Sequence, residues 1–261
     1  MNAPVKDYYC PPDLYDVIYS DIRDDIPFWA GMTRVETGPV LEVCCGTGRV
    51  LIPCLEAGAD IEGIDITESM VEALRTRLAA RGLRATVDVG DMRDFKRNRA
   101  YALITIPFNS FLHNMTQPDQ LATLRCCREH LSPGSRLMLN IFHPRSSRLA
   151  EHDGVPRVLK TLPDPAGGSA RVIDAGRCDP VVQRIAITRT VERLDESGNV
   201  RTTHDMSLEL RYVWKPEMEL LLRLAGFTRF AVEARTGYTA GFAPKPALEE
   251  GDLLVWTAWS D

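Results

Sequence analysis

The run Val40-Leu41-Glu42-Val43-Cys44-Cys45-Gly46-Thr47-Gly48-Arg49 constrains the fold of this 261-residue chain more than any other stretch. Its apolar first half reads as a buried strand, its glycines as a tight turn, and Arg49 to Glu56 as the helix that follows. Glycines in such a turn let the backbone approach a ligand closely, and the N-terminus of the next helix is electropositive. A second strand, Ile61-Glu62-Gly63-Ile64-Asp65, then ends in an acid. Together the two segments place a backbone cradle and a ribose-binding carboxylate at neighbouring strand ends, which builds a nucleotide-type cofactor site. The third glycine of the dinucleotide fingerprint is absent, because Leu51 stands in its place. That argues against NAD or FAD.

Strands and helices alternate from here on. Thr67 caps a helix reaching about Ala80, with Met70, Val71, Leu74 and Leu78 on its buried side. Ala85 to Val89 is strand three and Tyr101 to Ile106 strand four. Thr116-Gln117-Pro118-Asp119 resembles a capping box and starts a helix reaching His130. Ser132 to Ser135 is a turn, and Arg136 to Phe142 is strand five. Residues 11 to 34 read as largely helical, with Leu14, Ile18, Ile22 and Ile26 on one face. Residues 144 to 168, rich in Pro, Gly, Arg and Ser, read as a loop or lid. Val181 to Leu194 and Val200 to Trp214 read as a long hairpin. A helix from Pro216 to Ala225 and strands Arg229 to Glu233 and Leu253 to Trp259 complete the chain. The pattern predicts a doubly wound α/β fold: a mostly parallel seven-stranded sheet with helices on both faces and an antiparallel insertion after strand five.

Composition narrows the partners. The net charge is −5, and the five lysines are spread along the chain rather than gathered into a basic face, which weighs against a nucleic-acid substrate. No run of about 18 apolar residues is present. Seven cysteines, an odd number without a CxxC, form neither a disulfide framework nor a metal site and point to a reducing, cytoplasmic setting.

Taken together, the motifs make a resemblance specific. The chain resembles the class I S-adenosylmethionine-dependent methyltransferases of the small-molecule type, with a Rossmann-like fold. Glu42, Gly46 and Gly48 match that family's first motif, and Asp65 the acid that holds the ribose hydroxyls, with Ile66 and Met70 as its apolar neighbours. Gly90-Asp91-Met92 matches the third motif, where the acid meets the adenine amino group and the next residue packs on the ring. Ile106-Pro107-Phe108-Asn109-Ser110 matches the fourth, near the methionine end of the cofactor. Cys44 departs from the pattern, since a glycine is usual there, and its side chain would narrow the space beside the methionine moiety. The resemblance implies that residues 1–35 form an aromatic helical lid over the cofactor. Tyr15 and Tyr19 are its expected contacts, and Trp29, Tyr8 and Tyr9 belong to the same aromatic segment. It also implies a cofactor domain over 36–143 and 216–261, and an insertion at 144–215 covering the acceptor pocket. Arg49 is a candidate partner for a carboxylate of cofactor or substrate.

Methyl transfer from a sulfonium depends mostly on alignment, so no catalytic dyad is required. His143, at the end of strand five, and His113, after the fourth motif, are the candidate bases, with Tyr19 as a further candidate catalytic group. Thr105-Ile106-Pro107-Phe108 lacks the leading Asn of enzymes that methylate planar amino groups on bases or glutamine. Arg211, Tyr212, Trp214, Tyr238 and Phe242 are expected around an apolar acceptor pocket. The expectation is a methyltransferase for a small metabolite with an N-, O- or C-acceptor, as monomer or homodimer, without metal. The competing reading is an enzyme that uses the same cofactor for cyclisation or aminocarboxypropyl transfer.

Overall fold

The computed structural model describes residues 10–260, so Tyr8 and Tyr9 lie outside the described residues. The N-terminal segment forms two short helices, α1 (Pro12–Ile18) and α2 (Ile26–Arg34). The periodicity of 11–34 had read as largely helical. The break has a local cause: Pro27 fits only the first turn of a helix, and the residues before it turn so that Asp25 points inward. The alternating part follows as β1 (Val40–Val43), α3 (Leu51–Glu56), β2 (Ile61–Asp65), α4 (Glu68–Ala80), β3 (Val87–Val89) and β4 (Tyr101–Ile106). A 3-10 turn (Ser110–His113), α5 (Gln117–Glu129) and β5 (Leu131–Phe142) come next. The Thr116 hydroxyl accepts from the Asp119 N–H at 3.2 Å and caps α5 as the sequence suggests.

The segment 144–215 is more ordered than a loop followed by a hairpin. It holds α6 (Ser146–Ala150) and four antiparallel strands, β6 (Arg157–Pro163), β7 (Ser169–Asp179), β8 (Arg184–Leu194) and β9 (Val200–Arg211). The hairpin between β8 and β9 is present, with Arg184 opposite Arg211. The Pro- and Gly-rich run 163–168 is not a lid but the turn between β6 and β7, closed by the Asp164 N–H donating to the Gly168 carbonyl. Turn residues dominated the composition there and masked the short strand before them. The chain ends in α7 (Lys215–Leu224), β10 (Arg229–Arg235) and β11 (Leu253–Trp259).

The main sheet has seven strands in the order β10-β11-β5-β4-β1-β2-β3. β3, β2, β1, β4 and β5 are parallel, while β11 runs antiparallel to both β5 and β10. One face buries α5 and α7 through Leu124, Cys127, Met218 and Leu222, and the other buries α2, α3 and α4 through Trp29, Leu51, Cys54 and Leu74. A third cluster joins the insertion to this body: Leu14, Val17 and Ile18 of α1 pack with Met70 of α4 and with Ala170, Val172, Val191 and Met206 of the small sheet.

Candidate active site

The strand order reverses at β1, which has β2 on one side and β4 on the other. A crevice beyond the carboxyl ends of the strands at such a switch point is the usual ligand site of open α/β sheets. Two turns border it. In the turn after β1, Cys44, Gly46 and Gly48 have φ of 61°, 52° and 87°. A Cβ at Gly46 would meet nothing within 4 Å, whereas one at Gly48 would lie 2.4 Å from Leu74 Cδ1 and 3.0 Å from Ile52. Gly46 therefore faces open space, and Gly48 lets α3 and α4 close on the turn. The Asp65 carboxylate ties the strand ends together, accepting from the Gly46 N–H at 2.8 Å and the Thr67 N–H at 2.9 Å. It thus takes part in starting α4 as well as bordering the crevice. Ile66 beside it is half-buried.

In the turn after β4, Phe108 and Asn109 are also left-handed, at φ 59° and 63°. Asn140 of β5 pins them: its Oδ1 accepts from the Phe108 N–H at 2.8 Å, and its carbonyl from the Asn109 N–H at 3.1 Å. Asn109 Oδ1 in turn accepts from the Phe142 N–H at 2.8 Å, and Ser110 Oγ donates to the Pro107 carbonyl. The Phe108 ring meets the rings of Tyr19 at 5.1 Å and Tyr238 at 4.9 Å, both edge-on, with the Arg49 guanidinium 4.2 Å from its centroid. Phe242 stacks on Tyr238.

The N-terminal segment is fastened over the first turn by two carboxylates that the sequence reading did not single out. Asp16 of α1 accepts from Thr47 Oγ1 at 2.8 Å and pairs with Arg77. Asp25, fully buried, takes both terminal nitrogens of Arg49 at 2.7 Å. Arg49 is thus committed to this chain's own carboxylate. Trp29 is wholly buried among Val40, Val50 and Cys54, so it serves the core under α2, and Met70 packs under α1. Tyr15 lies against Tyr19 at 4.8 Å, and burial pushes its phenol above the usual tyrosine range. The Tyr19 hydroxyl accepts from Arg189 Nη1 at 2.9 Å, and Arg189 is itself held by Asp174 at 2.7 Å twice. An arginine inside the alternating apolar pattern of β8 was the sequence signal for this tie.

The remaining acids differ in environment. Glu42 is buried, burial pushes its carboxyl well above the usual carboxylate range, and its Oε2 has no partner. Asp91, which follows Gly90, is gripped by Arg93, whose Nη2 lies 2.6 Å from Oδ2; Arg93 also reaches Asp119. Met92 is buried, with Cys44 Sγ 3.9 Å and Asn114 Nδ2 3.3 Å from its sulfur. Burial lowers His113 to about 4, against a backbone hydrogen bond at Glu209 of β9. His143 Nδ1 lies 3.2 Å from the Glu249 carbonyl, and its ring stands edge-on to Trp214 at 5.9 Å. A carbonyl only accepts, so Nδ1 carries the proton and a neutral His143 presents Nε2 as an acceptor. Tyr212 is core, and Arg211 is locked to Gln120 and Glu217, so these two anchor the insertion. An open groove of about 890 Å3 runs beside this region, lined by Pro11, Thr67, Glu68, His204 and Met206.

A family model described as a methyltransferase domain matches residues 40–134, the segment that carries both turns, Asp65 and Asp91. Over part of its length the chain is similar to a dTDP-3-amino-3,4,6-trideoxy-alpha-D-glucopyranose N,N-dimethyltransferase of Streptomyces venezuelae, at 31% identity over 47% of this chain and 53% of that one. The similarity thus spans about half the length of that relative. A cypemycin N-terminal methyltransferase of Streptomyces is 23% identical over 90% of this chain and 89% of that protein. The methyltransferase fold extends beyond the matched segment. The structure of SAM-bound CalS10, an amino pentose methyltransferase from Micromonospora echinaspora, superposes with a TM-score of 0.71 at 20% identity, covering 93% of this chain and 95% of that one.

Proposed function

We propose that this protein transfers a methyl group from S-adenosylmethionine to the nitrogen of a small-molecule amine. The observation that carries the reading is the switch point at β1, where the left-handed Gly46 turn is tied to Asp65, while the turn after the neighbouring β4 carries the ring cluster of Tyr19, Phe108 and Tyr238. The residues present fit the cofactor. Asp65 beside the open turn suits ribose hydroxyls, and the unpartnered buried oxygen of Glu42 suits an ammonium group. Asp91 and Met92 suit the adenine end, and Pro107, Phe108 and Asn109 the methionine end.

When bound, S-adenosylmethionine supplies a methyl group on a positively charged sulfur. In-line transfer gains roughly 7–11 kcal/mol from alignment of donor and acceptor, which assigns the main work to positioning. The rings of Tyr19, Phe108 and Tyr238 give the site an apolar aromatic wall. His143, with Nε2 as acceptor, is our candidate to receive the proton an amine must lose, whereas His113, lowered by burial to about 4, is too weak a base for that step. An amine acceptor is supported by the first relative above, an N,N-dimethyltransferase of an amino sugar by name. Seven free thiols fit a reducing cytoplasm, and the acidic net charge fits a small-molecule acceptor better than a nucleic acid.

The test is incubation with S-adenosylmethionine and a metabolite extract, followed by mass spectrometry. S-adenosylhomocysteine formed only with extract, together with a partner peak heavier by CH2 on a nitrogen, is the expected result. Enzyme-dependent methylthioadenosine would replace the reading with reaction at the aminobutyrate chain. Asp65→Ala is expected to weaken cofactor binding roughly tenfold or more in calorimetry, because the ribose hydroxyls lose their acceptor.

A further inference from the structure

We propose that Asn140 is a positioning residue: it couples the loop between β10 and β11 to the turn 107–109, so that Tyr238 sets where Phe108 stands in the crevice. The inference rests on the cofactor reading above and adds a residue outside the motifs that carry it.

Asn140 sits near the carboxyl end of β5, between the buried Leu139 and Ile141, and is fully inaccessible. A primary amide in that position is costly unless each of its groups is paired. Here they are. Oδ1 accepts from the Phe108 N–H, and Nδ2 donates to the Tyr238 hydroxyl. The assignment of oxygen and nitrogen is chemically forced, since the N–H of Phe108 can only donate. The Asn140 carbonyl holds the next N–H, that of Asn109, and Asn109 returns the contact through its side chain to Phe142.

The turn needs this support. Phe108 and Asn109 both have φ near +60°, and neither is glycine. Such a conformation persists in a bulky residue only where the surroundings over-determine it. The result is that the Phe108 ring stands against Tyr19 and Tyr238 rather than pointing away from them. Tyr238 touches the turn through its ring on Phe108 and its support through its hydroxyl on Asn140. The loop that carries Tyr238 is fixed at its far side by the Gly241 N–H on Asp24, and Arg235 donates to the Phe242 carbonyl. A movement of this loop therefore reaches the turn 107–109 by two routes, the Tyr238 ring on Phe108 and the Asn140 amide.

Hydrogen exchange and calorimetry on the full chain test the coupling. In Tyr238→Phe, which removes one oxygen, exchange in the peptide 106–112 is expected to accelerate along with that in 236–244, because the Asn140 amide is no longer held from the loop side. Asn140→Ala is expected to accelerate exchange at the Phe108 amide most. With S-adenosylhomocysteine as probe, Kd is expected to rise about tenfold in Asn140→Ala and about threefold in Tyr238→Phe, with the double variant no worse than Asn140→Ala alone. Exchange changed only in 236–244 by Tyr238→Phe, or effects that multiply in the double variant, would overturn the proposal. Tyr238→Phe decides the matter by itself if Asn140→Ala does not fold. A wild-type protein that fails to bind S-adenosylhomocysteine would sink the cofactor reading, whereas the exchange arm needs no ligand and still judges the coupling.

Discussion

The turns after β1 and β4 follow neighbouring parallel strands, and both use left-handed backbone, yet they secure it by different means. The first uses Gly46 and Gly48, for which positive φ carries little steric cost. The second places Phe108 and Asn109 in the same region and holds them with Asn140. The first conformation is largely a local property of the sequence. The second is imposed from β5 and from the loop carrying Tyr238. Cys44 is the exception within the first turn: a non-glycine at φ 61°, where the family it resembles usually has glycine. Arg49 spans the two turns, leaving the glycine turn on one side, stacking on Phe108 on the other and anchored by Asp25 between them.

The largest effect should come from breaking that span. Asp25→Ala leaves the Arg49 charge buried and unpaired, and urea unfolding is expected to show a loss of about 3–5 kcal/mol. Gly48→Ala tests whether the first turn depends on glycine for packing as well as for φ. The new methyl would press on Leu74 and Ile52 at positive φ, with an expected loss of about 2–3 kcal/mol by the same measurement.

Next comes His113, at the far end of the 3-10 turn that continues the second turn. Its folded value of about 4 lies below the unfolded value of 6.5, so between these pH values the unfolded chain binds more protons. This contribution to stability is complete above pH 6.5 and is lost as pH falls toward 4, amounting to about 3 kcal/mol at most. His113→Gln should flatten that part of the pH profile in thermal melts. The smallest effect belongs to Cys44→Gly. Relief of left-handed strain opposes the greater chain entropy of glycine, so stability should stay within about 1 kcal/mol of wild type. A large loss would show that the Cys44 contact with Met92 outweighs the strain.

Much of the main sheet was legible because its signals are local. Apolar runs, the glycine turn and the Thr116 cap fix β1, β2, β4 and α5 without reference to distant residues. β6 was not legible, because it adjoins the Pro- and Gly-rich turn at 163–168, whose composition read as loop. In the candidate site, Gly46 meets Asp65 at the end of β1, and Phe108 meets Tyr19 at the turn after β4. Arg49 and Trp29 read as cofactor contacts because an exposed helix start and an aromatic segment resemble binding elements. Their tasks are an ion pair with Asp25 and core packing under α2. Asp16, Asp25 and Asn140 carried at most the weak signal of a polar residue in an apolar pattern.

By itself the sequence determined the alternation of strands and helices, the glycine turn and the acid at the end of β2, since periodicity, backbone freedom and motif spacing act over a few residues. Only the tertiary structure decided which carboxylate holds Arg49, how the insertion sheet reaches Tyr19 through Arg189, and why Phe108 stands left-handed in the crevice. Those outcomes depend on hydrogen bonds between residues 24 to 170 positions apart, and a buried polar group takes whichever partner the packed chain brings within reach.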